Sequence, residues 1–232
     1  MSPRYDDEQS GRPAGLLVVV AVQAEADAVL RGLARAGAPG VPVEVLAGGV
    51  GPAAAAAATA AALATGRFRL VVSAGIAGGF APHAPVGATV VASEILAADL
   101  GAETPEGFRD VTELGFGSVR HRPAPGAVAL AAKVLDAVVG PVLTVSTVTG
   151  SAERAAALAA RHPGAAAEAM EGFGVAEAAA RSGLPVLEIR TVSNPVGPRD
   201  RAAWRIGEAL GALERAFAAL PYPELLQEAA DG

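Results

Sequence analysis

Short runs of β-branched and leucine residues alternate, almost from end to end, with alanine-rich stretches of helical length, and this alternation restricts the chain to very few architectures. Residues 16–22 (LLVVVAV) are apolar at every position. A strand with one face in water alternates apolar and polar residues, so an unbroken apolar run reads as a strand covered on both faces, as in parallel sheets flanked by helices. A helical pattern follows at 24–36, then a second strand at Val43–Ala47. Pro52 opens an alanine helix reaching about Thr65, because its fixed φ and missing N–H suit the first helical position. Further strands are expected at 70–73, from about 86 to 96, at 141–148 and at 186–192. Helices are expected at 127–139, at 151–161 with Ser151 as N-cap, at 172–181 and at 201–220. Between 101 and 125, Gly, Pro and charged residues mix without periodicity, and a long loop is expected.

The chain has 232 residues, no fixed-period repeat and no linker-like stretch. It is expected to form a single three-layer α/β/α domain with a central, mostly parallel or mixed sheet. The expected boundaries are a flexible N-terminal tail over 1–15, the domain over 16–222 and a C-terminal tail over 223–232. The 52% hydrophobic content excludes a disordered chain. Only 4% is aromatic, so the core must be Val, Leu and Ala, with helices lying close to the sheet.

Several chemistries are excluded at once. With no cysteine there is no disulfide framework, thiol nucleophile or Cys-ligated metal. His83, His121 and His162 have no ligand spacing, and neither a metal nor a cofactor is expected. The net charge is −6, with no basic cluster interleaved with aromatics, so nucleic acid is not an expected partner. No apolar run approaches the roughly 20 residues that cross a bilayer. Asp6, Asp7 and Glu8 speak against a signal peptide, so a cytoplasmic protein without a membrane partner is expected. A nucleophile elbow and a Walker loop are both missing.

In parallel α/β sheets, ligands bind beyond the carboxyl ends of the strands, and four such ends carry unusual residues. Gln23-Ala24-Glu25 follows the first strand. Glu25 sits at a helix start, where the dipole favours a carboxylate, so it reads either as a helix-end charge or as a functional acid. The glycine-rich segment 75–79 lacks the spacing of a dinucleotide fingerprint. It is either a tight turn or a close backbone approach to a ligand. Met170-Glu171 lies in the apolar stretch AAAEAMEGFGVA, where an unpaired carboxylate would be costly; the two hydroxyls of a vicinal diol would satisfy it. Ser193-Asn194 closes the last strand, and Asp200 downstream reads as a helix cap or as an acid.

Taken together, VVVAVQAEADAVL, VVSAGIAGGFAPHAPVGATVVASEI, AMEGFGVAEAA and IRTVSNPVGPRD resemble the nucleoside phosphorylase and nucleosidase superfamily over about residues 16–220. The similarity is to the branch holding 5′-methylthioadenosine/S-adenosylhomocysteine nucleosidases, and most of all to the futalosine hydrolase family, on the segment SNPVGPRD. The resemblance implies hydrolysis of the N-glycosidic bond of a 6-oxopurine nucleoside, futalosine above others, with water as co-substrate. It implies that Glu25 activates water and that Glu171 holds the ribose 2′- and 3′-hydroxyls, with Met170 against the sugar. Gly78, Val148 and Thr149 would hold the purine through backbone groups, with Ser193 beside them. Trp204 would line the 5′ pocket. Asn194 stands where adenine nucleosidases carry an aspartate. An amide accepts from N7–H and donates to O6 at once, which suits hypoxanthine; Asp200 is then the candidate acid.

Ile76 replaces a small polar residue of those nucleosidases. Glu188 is expected to pair with Arg190 or an edge neighbour, without a catalytic role. Arg199, Arg201 and Arg109 are candidates for a carboxylate on the 5′-substituent. A homo-oligomer, dimer or larger, is implied, and the 101–125 loop, with Phe108 and Phe116, either reaches a neighbour's site or is a surface loop. The competing readings are a phosphate-dependent purine nucleoside phosphorylase, a methylthioadenosine nucleosidase and a non-catalytic nucleoside sensor.

Overall fold

A computed structural model describes residues 14–37 and 39–230; the N-terminal tail expected over 1–15 falls, except for its last two residues, outside them. The strands are β1 (Gly15–Val20), β2 (Val43–Ala47), β3 (Phe68–Gly79), β4 (Thr89–Ala97), β5 (Gly101–Thr104), β6 (Gly107–Asp110), β7 (Arg120–His121), β8 (Val138–Thr144), β9 (Ala167–Ala169) and β10 (Val186–Pro195). The helices are α1 (Gln23–Ala36), α2 (Pro52–Thr65), α3 (Pro125–Leu135), α4 (Ala152–Arg161), α5 (Gly172–Arg181), α6 (Ile206–Ala219) and α7 (Tyr222–Ala230).

Eight strands form one mixed sheet in the order β10-β4-β8-β9-β3-β1-β2, with β7 on β4. Because β10 also pairs with β3, the strands β3, β10, β4, β8 and β9 close into a ring that β1 and β2 extend. The expectation of a mixed α/β sheet therefore holds, and closure is what the sequence reading lacked. Closure needs β3 to run six residues past the expected 70–73, through the segment 75–79. At Gly79 a Cβ would stand 2.7 Å from Val192 of β10 and closer still to the Ala84 carbonyl, so only glycine lets the neighbouring backbone in this far.

β1 is buried at all six residues, as an all-apolar run should be. Leu16, Val18 and Val20 face one core with α1, α3, α6 and α7, while Leu17 and Val19 face another with α2 and α5. The alanines of α2 permit a close approach: a Cβ on Gly174 of α5 would collide with the Pro52 carbonyl at the start of α2.

Four expectations require correction. The 101–125 stretch is not a loop throughout: β5 and β6 form a hairpin. Its turn is held by Thr104, whose hydroxyl donates to Gly107 O (2.8 Å) and accepts from Glu106 N (3.2 Å), with Gly107 at φ +115°. The helix expected at 127–139 ends at Leu135, where Asp136 turns left-handed (φ 48°) and the β-branched Val138 and Val139 enter β8. Of the C-terminal tail expected over 223–232, residues 223–230 belong to helix α7, whose Tyr222, Leu225, Leu226 and Ala229 recur at helical spacing and are buried, and the last two residues lie outside the described ones. The terminal helix expected at 201–220 is split: Arg201–Ala203 is a single 3₁₀ turn, and α6 starts at Ile206.

Candidate active site

A cavity of about 380 Å³ opens at the carboxyl ends of β1, β3, β9 and β10. Glu25, Gly78, Val148, Thr149, Met170, Glu171, Ser193, Asn194 and Trp204 all line it, so nine of the ten residues to which the resemblance gives a place in catalysis or around the base, the sugar and the 5′ pocket are brought together. The tenth, Asp200, does not line it. Its side chain caps the 3₁₀ turn, accepting from Ala202 N (3.1 Å), and of its two readings the structure supports the cap.

Glu25 is the third residue of α1, immediately after β1, and is 4% exposed. Its Oε2 accepts from Ala21 N (2.9 Å) and Val22 N (3.2 Å), and its Oε1 accepts from Ile76 N (2.9 Å). Two of these donors lead into α1 and the third lies on β3, and together they fix the direction of the carboxylate. The space beside it is kept open by Gly75 (φ +147°), where a Cβ would stand 2.5 Å from Glu25 Oε1 and 3.0 Å from Arg190 Nη1.

Glu171, at the N-cap of α5, is 5% exposed. Gly51 N donates to its Oε1 (3.2 Å), and Met170 N to its Oε2 (3.3 Å). The partner that its burial demanded is Arg190, whose Nη1 lies 3.3 Å from Oε2. Arg190 itself is fully buried on β10. Its Nε donates to Glu188 Oε1 (2.8 Å) and its Nη2 to Ser73 Oγ (3.1 Å). Of the two partners proposed for Glu188, the arginine is therefore the one found. Burial pushes the Glu188 carboxyl above its ordinary range, with Arg190 opposing. Burial also weakens the arginine's charge, but Glu188, Glu171 and Glu25 more than restore it.

At the end of β10, Asn194 Nδ2 donates to Pro195 O (3.0 Å), and Ser193 Oγ donates to Asn194 Oδ1 (2.8 Å). One donor hydrogen and one acceptor site of the amide remain free for a ligand. At the outer end, the Arg199 guanidinium sits 5.3 Å from the centre of the Trp204 ring, and both line the cavity. Arg201 does not line it, and Arg109, on the β5–β6 hairpin, donates to Glu113 O (3.2 Å).

The sequence pattern of the phosphorylase superfamily matches residues 20–220. A futalosine hydrolase of Streptomyces coelicolor is 61% identical over 221 residues, covering 88% of this chain and 94% of that protein. The chain belongs to the phosphorylase superfamily and, within it, to the futalosine hydrolases. A futalosine hydrolase of Thermus thermophilus is 36% identical over 79% of this chain and 83% of its own. Among solved structures, the 5′-methylthioadenosine/S-adenosylhomocysteine nucleosidase of Colwellia psychrerythraea, in complex with adenine, superposes with a TM-score of 0.75 at 25% identity. It covers 93% of this chain and 96% of the other. Like the other futalosine hydrolases, this one is an N-glycosyl hydrolase.

In this futalosine hydrolase Val196 and Glu168 are among the lining residues that escaped the sequence reading. Val196 closes the wall beside Gly78, where a Cβ would meet its Cγ2 at 3.0 Å. Glu168 on β9 is 6% exposed and lines the cavity. Thr149 donates to it twice, from its backbone N to Oε1 (2.8 Å) and from its hydroxyl to Oε2 (2.5 Å). The signal was available: Glu168 is the other acid in AAAEAMEG, and the reasoning that gave Glu171 a partner applied to it equally.

Proposed function

We propose that the enzyme hydrolyses futalosine to hypoxanthine and dehypoxanthine futalosine, a step of menaquinone biosynthesis, in the cytoplasm and as a homo-oligomer. The reading rests above all on Glu25 and Glu171 lining one cavity as buried carboxylates, each held by backbone donors. N-glycosidic cleavage passes through an oxocarbenium-like sugar, which nearby carboxylates stabilise. Glu171 takes the ribose 2′- and 3′-hydroxyls, with Met170 packed against the sugar. Glu25, with an acceptor site left on Oε1, removes a proton from water as the oxygen bonds to C1′. The C1′–N9 bond breaks with its electron pair leaving on the purine. Asn194 stabilises that charge by donating to O6, and the base takes its proton from solvent. Gly78, Val148, Thr149 and Ser193 flank the base.

Arg199 on Trp204 receives the carboxylate of the 5′ aromatic substituent, the planar guanidinium suiting both the ring and the anion. A phosphorylase would need a cation free for phosphate. Arg190 is instead committed to Glu188 and Glu171, and Glu25 faces the same space. Futalosine and inosine are assayed with and without inorganic phosphate. Phosphate-independent release of hypoxanthine from futalosine is expected, and strict phosphate dependence would overturn hydrolysis.

A further inference from the structure

Glu168 lines the cavity and has no part in the bond-breaking steps. Its position in the sheet is specific. Gly78 of β3 pairs with Glu168 of β9 on one side and with Asn194 of β10 on the other. The three residues form one row across three strands, and although β10 bulges at Ser193, just before Asn194, all three line the same cavity and so share its face. Glu168 and Asn194 thus stand two strand spacings apart, about 9.5 Å, with a glycine between them. A planar base lying over Gly78 meets an amide at one end and a carboxylate at the other.

The carboxylate is built to be used. Each oxygen accepts one hydrogen bond from Thr149, which leaves each with a further acceptor site. Among the described residues Glu168 is in no ion pair. Burial pushes its carboxyl up, with the Thr149 donors opposing. A buried carboxylate of this kind gains from one more donor. A 6-oxopurine carries a hydrogen on N1, whereas adenine presents a lone pair there.

We propose that Glu168 accepts the N1–H of the purine and thereby selects hypoxanthine over adenine nucleosides, while Asn194 holds the O6 and N7 edge from the opposite strand. The assignment rests on the reading that a 6-oxopurine nucleoside occupies this cavity. It makes base selection a two-ended measurement. Asn194 alone reads O6 and N7, and Glu168 adds a contact that a 6-aminopurine turns into repulsion between lone pairs.

Two measurements test this. In Glu168→Gln the amide oxygen stays on Thr149 N and the NH₂ turns to the base, so kcat/KM for futalosine falls about 10- to 100-fold. For the 6-amino counterpart of futalosine it falls far less or rises. Equal loss on both substrates means that Glu168 only supports the Thr149 loop, and overturns the proposal. In the wild type, calorimetry compares hypoxanthine with 1-methylhypoxanthine: at least about tenfold weaker binding of the methylated base is expected, and equal binding overturns the proposal without any variant. The function itself is judged separately, by whether the wild type releases hypoxanthine from futalosine. The binding comparison decides the role of Glu168 whichever way that assay falls.

Discussion

Glu25→Gln separates the chemistry from the scaffold. The wild-type carboxylate accepts from three backbone N–H groups, two at Oε2 and one at Oε1. A glutamine has one acceptor oxygen. In its better orientation the oxygen keeps Ala21 N and Val22 N, and the NH₂ then faces Ile76 N, donor to donor. One buried N–H loses its partner, which costs about 1–3 kcal/mol of stability. An amide also cannot take a proton from water, and loss of a positioned base lowers kcat by roughly 10²–10⁴-fold. On the proposed reading the substrate contacts through Glu171, Asn194 and Arg199 are untouched, so KM for futalosine should move only a few-fold. Steady-state hypoxanthine release gives kcat and KM, and thermal unfolding gives the stability loss. A variant that keeps kcat within about fivefold of wild type, while showing the expected drop in melting temperature, would refute Glu25 as the base and leave it a structural anchor of α1.

Arg199→Gln should raise KM for futalosine about tenfold, a discounted figure because the guanidinium is exposed before substrate binds. KM for inosine, which has no 5′ carboxylate, should be unchanged, and a parallel rise for both nucleosides counts against the assignment. Leu225→Ala removes a side chain with no exposure from the α7 contact and should cost about 2–5 kcal/mol in denaturant unfolding; a loss near zero would mean that α7 is dispensable. The raised carboxyl of Glu168 means that the native state holds this proton more tightly than the unfolded chain does. Its contribution to stability therefore falls as pH rises from the ordinary glutamate value, about 4.3, through the raised one. The melting temperature of Glu168→Gln relative to wild type should accordingly climb with pH across that window, and a constant difference from about pH 4 to 8 would contradict the sign.

How legible the fold was depended on how local its cause is. β1 and α2 could be read directly, because an unbroken apolar run and a proline followed by alanines are each explained by their own residues. Ring closure could not, because it depends on β10 meeting both β3 and β4, and the segment 75–79 looks the same in a turn as in a strand crowded from both sides. Helix α7 was lost to its shortness and its place after Pro221, although its apolar spacing was regular. The site was legible where one residue type is anomalous in its context, as Glu171 is among alanines. Glu168 has the same anomaly, but its place facing Asn194 across Gly78 comes from pairing between strands far apart in the chain. Asp200 was open to two readings, because a residue that caps a turn and a residue that gives up a proton look alike in sequence; its hydrogen bond to Ala202 N and its place outside the cavity favour the cap.

The buried charges explain why this site favours water over phosphate on the proposed reading. Three carboxylates, Glu25, Glu171 and Glu188, act on one guanidinium. A cation in such a wall could in principle serve an anionic nucleophile. Here its Nε is taken by Glu188 and its Nη1 by Glu171, so phosphate would have to displace a carboxylate from a pair that is already desolvated. The excess negative charge that remains lies beside the sugar, where positive charge develops as the base departs, and it opposes the approach of a second anion. Glu188 does not line the cavity, and a Cβ on Gly172 would collide with its carboxylate. Its effect on the reaction therefore passes through the arginine: by occupying Nε it leaves Arg190 a counter-ion of the site, where an unpaired guanidinium would be a receptor for phosphate.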